Sequence, residues 1–184
     1  MTTASMRALA HPMRLRILGH LRLHGPATSS TLAREFGMNS GATSYHLRHL
    51  ANHGLIEEDA ERGSKRERWW QAPHQSTYFD QESLSGESGE HFLRALSQVH
   101  VEHIHHAAER HVTMTTESQG LLDLSDWMLN LTPEEATSLG KEIAELLGRY
   151  RRHTADTAAS ASDEAHPILV QLQILPHPQS NNQA

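Results

Sequence analysis

Gly41, Ser44, Tyr45 and Arg48 recur at spacings of three and four within residues 39–54, NSGATSYHLRHLANHG. On a helix this spacing sets two hydroxyls, a guanidinium and a small gap on one side, with Ser40 at the first turn beside them. Such a face can exchange hydrogen bonds with base edges and phosphate oxygens. The helix that must carry it is visible in the same stretch. Asn39 is a candidate N-cap, Thr43, Leu47 and Leu50 form the apolar inward stripe, and Gly54 marks the stop. A solvated helix surface can hold the same residues, so the flanking elements decide.

Upstream, residues 30–36, STLAREF, predict a short helix that Gly37 and Met38 turn tightly into the next, which is helix-turn-helix spacing. Thr28 and Ser29 offer its caps, and Leu32, Ala33 and Phe36 its core face. Before it, residues 6–23 form an amphipathic pattern, with Leu9, Met13, Ile17, Leu18 and Leu21 inward and Arg7, Arg14, Arg16 and Arg22 outward. Pro12 marks the true start of that helix, leaving residues 6–10 as a turn or separate arm. Downstream, LIEEDAE and ERWWQA are strand-like runs around a basic tip, where Arg62, Lys65 and Arg66, with Arg68 as a further candidate, are placed for phosphate or minor-groove contact. The adjacent Trp69 and Trp70 must face opposite sides of a strand, one of them toward the core. Helix, turn, helix and basic hairpin together predict a winged helix.

Several ordered features agree with that expectation: His11-Pro12-x-Arg14-x-x-Ile17-Leu18, then Ser44-x-His46-Leu47-x-x-Leu50, then Gly54-Leu55-Ile56 leading into the hairpin. In these the chain resembles, over residues 6–72, the winged helix-turn-helix of the ArsR/SmtB family of bacterial transcriptional regulators. The resemblance implies a homodimer that binds double-stranded DNA at a near-palindromic operator, usually to repress. It also implies that the helix after the wing pairs across the dimer axis. Some zinc sensors of the family use Asp-x-His, ten residues, His-x-x-His on that helix. Here only His91, Glu102 and His105 survive in the frame, and Gly89 replaces the first carboxylate. The cysteine pair of the arsenic and cadmium sensors is replaced by Ser29, Ser30 and Thr31. No cofactor and no metal is therefore expected, with a zinc- or nickel-responsive histidine-rich helix as the alternative.

After residues 75–89, a stretch rich in Gln, Ser, Gly and Glu that reads as a linker, a second helical module is expected over 90–175. Its long helix, from residue 90 to about 116, carries Leu93, Leu96, Ile104, Ala107 and Ala108 on related faces, and Trp127 is the large apolar anchor of the segment that follows. Thr132, Pro133 and Glu135 form a capping box for a helix running to about residue 152 with Ala136, Leu139, Ile143, Leu146, Leu147 and Tyr150 on one face. Residues 154–166 read as a loop, 168–175 as a strand, and 176–184 as a frayed tail. The fold class is thus mainly α, a winged helix-turn-helix over 1–74 followed by a helical dimerisation or effector module with a C-terminal strand.

Charge is unevenly shared along the 184 residues. Residues 1–74 hold ten Lys and Arg against six Asp and Glu, whereas 75–184 hold six against sixteen, so only the front suits a polyanion. With no cysteine, disulfides, thiolate metal sites and cysteine nucleophiles are excluded. No Gly-rich phosphate loop, Gly-x-Ser-x-Gly elbow or His-Glu-x-x-His occurs, so an enzyme is not expected. There is no leader-like apolar segment and no run near the roughly 20 residues of a membrane span, and a soluble cytoplasmic protein follows as the expectation. A small-molecule effector between the two long helices, histidine protonation or a metal could regulate such a protein. The rival of another class is a winged helix used as a protein-interaction scaffold.

Overall fold

The computed structural model describes residues 3–62, 67–74, 84–112, 122–150 and 168–176. Among them the order is α1 (Thr3–Leu9), α2 (Pro12–His24), β1 (Ala27–Thr28), α3 (Ser29–Glu35), α4 (Ser40–Asn52), β2 (Glu57–Glu58), β3 (Trp69–Gln71), α5 (Gly86–His111) and a last helix, α6 (Pro133–Gly148). The chain is mainly α-helical, with one small antiparallel sheet in the order β1-β3-β2. That sheet makes the helix-turn-helix a winged one.

Local sequence explains most element ends. Pro12 opens α2 as expected, because its missing N–H would have had no intrahelical partner. The cap is His11, whose Nδ1 accepts the Met13 N–H at 3.1 Å. The arm before it is itself helical: α1 buries Met6, Ala8 and Leu9. Its burial partner is α5, far along the chain, so the local pattern could not distinguish a helix from a turn.

The core gathers Met6, Leu9, Ile17, Leu18, Leu21, Leu32, Leu47, Leu50, Ile56, Trp70 and Phe92. Burial of each large aliphatic side chain contributes about 1.5–3 kcal/mol. Phe92, Ala95 and Val99 set α5 against α1 and α2, so this helix completes the core that the preceding helices begin. The apolar face expected for α5 is corrected accordingly: Leu96 lies at the edge of the core, while Leu93 and Ile104 are exposed. The helix also begins at Gly86, four residues before residue 90. Gly89 is needed there, since a Cβ would strike the Leu84 backbone.

Two further expectations change. Arg14 is buried rather than outward; it lies 8 % exposed against α1, where its NH2 group donates to the Arg7 carbonyl. Arg16 is half-buried, and its guanidinium grips both carboxylate oxygens of Glu102, with Nε to Oε2 at 2.8 Å, tying α2 to α5.

Beyond α5, Trp127 is 77 % exposed and anchors nothing among the described residues. The capping box of α6 is formed as expected: Glu135 N–H donates to Thr132 Oγ1 at 3.2 Å, and Thr132 N–H donates to Glu135 Oε2 at 2.7 Å. The helix ends at Gly148, short of residue 152, and its Ala136, Leu139 and Ile143 are only half-buried. Residues 168–176 pair with no strand among the described residues. They are irregular and touch both α5 and α6: Gln173 bonds His100 at 2.8 Å, and Ile174 lies against Gly140. The readings of 113–116, 154–166 and 177–184 fall outside the described residues.

Candidate nucleic-acid interface

The turn between α3 and α4 is built from caps at both sides. Thr28 Oγ1 accepts the Thr31 N–H at 3.2 Å to start α3, one residue earlier than the sequence suggested. At its end Gly37 takes φ +62°, and the Gly37 and Met38 amides return to the Arg34 and Ala33 carbonyls at 3.4 and 2.8 Å. This is a Schellman stop, for which a left-handed glycine is suited. Two residues later Asn39 Oδ1 accepts the Ala42 N–H at 2.8 Å and opens α4. The far end repeats the device: Gly54 has φ +66°, and Gly54 and Leu55 donate to the Ala51 and Leu50 carbonyls at 2.9 and 3.1 Å. Between these ends Thr43, Leu47 and Leu50 are fully buried, which fixes the rotation of α4 about its axis.

The opposite face is therefore set outward. Ser40, Gly41, Tyr45 and Arg48 are exposed and Ser44 is half-buried, as their spacing predicted. Arg48 Nε donates to the Ser44 carbonyl at 3.2 Å, laying the guanidinium along the helix. Tyr45 stands 59 % exposed, with its ring centroid 5.6 Å from that of the buried His46.

A groove of about 590 Å³ runs beside this face, lined by Thr28, Ser29, Ser30, Ser44, Arg48, Glu67, Arg68 and Trp70. Four hydroxyl-bearing side chains, two guanidiniums, the Glu67 carboxylate and Trp70 meet there. Three pieces far apart in sequence converge on it: the start of α3, the outer face of α4 and strand β3. Arg68, expected beside the wing tip, lines this groove, whereas Ser30 was not among the expected contacts, because its place depends on how α3 is laid against α4.

On the wing, Asp59 organises the turn. It is 9 % exposed, its backbone N–H donates to the Trp69 carbonyl at 2.9 Å, and its Oδ1 accepts the Glu61 and Arg62 amides at 3.2 and 3.3 Å. Arg62 pairs with the same carboxylate at 3.3 Å, and Arg68 approaches Glu58 at 3.8 Å. Arg62 is thus partly neutralised before it meets any ligand. Lys65 and Arg66 lie outside the described residues.

Among the described residues no group of three or more His, Asp or Glu side chains is placed to hold a metal ion. His91 and His105 are exposed, and Glu102 is occupied by Arg16. No described helix is long and apolar enough to cross a membrane.

Two capped helices joined by a tight turn, with a wing at their side, define a helix-turn-helix protein. Residues 9–59 match the sequence profile of the helix-turn-helix domain family. Within the curated proteins, the chain is 45 % identical over 56 residues to the HTH-type transcriptional regulator NmtR of Mycobacterium tuberculosis. The matched span is 30 % of this chain and 46 % of that relative, less than half its length.

Proposed function

We propose that this protein is a sequence-specific DNA-binding transcriptional regulator of the ArsR/SmtB type, acting as a homodimer on an inverted-repeat operator, usually as a repressor. The observation that carries the reading is the outward face of α4, held at both ends by caps and flanked by the hydroxyl- and guanidinium-lined groove. Ser40, Gly41, Ser44, Tyr45 and Arg48 enter a major groove, and Arg62, Lys65 and Arg66 of the wing lie on the flanking backbone or minor groove. Two such helices would sit about 34 Å apart, one turn of the duplex. The name of the matched relative, a transcriptional regulator, supports the same class.

The working division of the chain is 1–74 for DNA, 75–89 as connection, 90–175 for dimerisation and effector response, and 176–184 as tail. Leu93, Val101 and Ile104 support the dimer role of α5, since they form an exposed apolar stripe away from its buried Phe92, Ala95 and Val99. Where a ligand regulates such a protein, it must bind the DNA-ready and DNA-averse dimer geometries unequally.

Sequencing of genomic DNA fragments retained by the purified full chain, at low and near-physiological salt, tests the proposal. A shared inverted-repeat motif that persists at the higher salt is expected. Retention without a motif, lost as salt rises, would reduce the activity to counterion release and bring the interaction-scaffold reading forward.

A further inference from the structure

The inner side of α4 holds an arrangement that packing alone does not require. His46 is 8 % exposed, and its Nδ1 is buried without a hydrogen-bond partner among the described residues. Its ring lies 4.8 Å from that of His11, centroid to centroid, at 56°. His11 is the cap of α2, so the contact joins the start of one helix to the middle of the next. Beside them Arg14 is equally buried, and its Nε likewise lacks a partner among the described residues. A permanent cation therefore already occupies the seam against which α4 rests.

We propose that His46, wedged against His11 and Arg14, is the positioning residue that seats the recognition helix on α2, and that it does so only as a neutral imidazole. The inference rests on the DNA-binding reading and assigns a mode of regulation to that same face.

The groups acting on His46 are cationic or become so. From α2 these are His11 and Arg14, and from α4 itself His49; Tyr45 adds an uncharged phenol at its edge. His11 in turn faces Arg14 and Arg16, the latter already engaged by Glu102 of α5. Burial, then these neighbours, holds both imidazoles below the ordinary histidine range. A histidine depressed in the fold and ordinary in the unfolded chain contributes stability that is complete above about pH 6.5. That contribution is lost as the pH falls through the lowered folded values. A proton on His46 would place a second charge next to Arg14 where both are largely shielded from water, and the route of relief is to move α4 off α2. Because Tyr45 and Arg48 ride on α4, their register on DNA would move with it.

The test uses the full chain and a labelled duplex enriched from a random-sequence library by the protein at pH 7.5, beside a scrambled duplex. Between pH 7.5 and 5.5 the wild type should lose about tenfold or more in affinity for the enriched duplex. Binding to the scrambled duplex should hold or rise as exposed histidines gain charge. His46→Gln, which cannot charge, should bind more weakly at pH 7.5 but lose less than about threefold on acidification. An equal acid loss in His46→Gln, or a flat wild-type profile, would overturn the proposal. Imidazole resonances of the intact wild type provide a second readout that needs no variant of His46. They should place the His46 midpoint below about 6.5 and move it up in Arg14→Gln; an unmoved midpoint would overturn the proposal. If no duplex is enriched, the DNA reading fails by itself. The seating role of His46 is then decided by urea unfolding, whose midpoint should fall more on acidification in the wild type than in His46→Gln, an equal fall counting against it.

Discussion

Arg48 is the residue on α4 best suited to discriminate bases, because a guanidinium can bridge the two acceptors of a guanine edge whereas Ser44 and Tyr45 each offer one hydroxyl. Arg48→Ala should cost about 1–3 kcal/mol on a duplex enriched by the protein, a loss of roughly 5- to 150-fold in fluorescence anisotropy titrations. An equal loss on scrambled DNA would assign it to phosphate. Arg62 should matter less than its charge suggests, since Asp59 already holds it at 3.3 Å. Asp59 has the larger structural role. Removing a buried carboxylate that accepts two backbone amides leaves donors unsatisfied, and Asp59→Ala should lower stability by about 1–3 kcal/mol in urea unfolding. Residue types were legible in the sequence wherever their role was local. The exposure of Tyr45 and Arg48 followed from the three-and-four spacing alone. The burial of Arg14 did not, because its carbonyl partner on Arg7 exists only once α1 folds over α2.

At the level of elements, the recognition unit is held by its ends. Asn39→Ala should cost about 1 kcal/mol by loss of the cap. Replacing Gly37 or Gly54 by Ala forces a side chain into φ near +60° and should cost about 1–2 kcal/mol each. Thermal unfolding of the three variants would check the series. Caps and stops were readable in advance because each is written within four residues: Asn39, Gly54, Pro12 and the Thr132 box all function where they were placed. The elements that escaped depend on distant partners. β1 has two residues and exists only through its pairing with Trp69 and Trp70. The working face of α5 was ambiguous because the helix is apolar on two sides, and only the position of α1 and α2 selects Phe92, Ala95 and Val99. Residues 168–176 alternate like a strand, yet among the described residues no strand pairs with them.

For the whole molecule, the unequal sharing of charge confines any polyanion to the front while the acidic remainder repels it. In the proposed dimer the exposed stripe of α5 is the pairing surface, so a Val101→Glu, Ile104→Glu double variant should sediment as a monomer and the wild type as a dimer. Such a monomer should still contact DNA, but only through one half-site. The account as a whole depends on α4 being the part that meets DNA. Backbone amide chemical shifts recorded as the enriched duplex is added to the intact protein test this most directly. The shifts should move along residues 40–49 and at Ser30 and Arg68, with the exposed flank of α6 unchanged; shifts concentrated on α5 and α6 with α4 silent would contradict it.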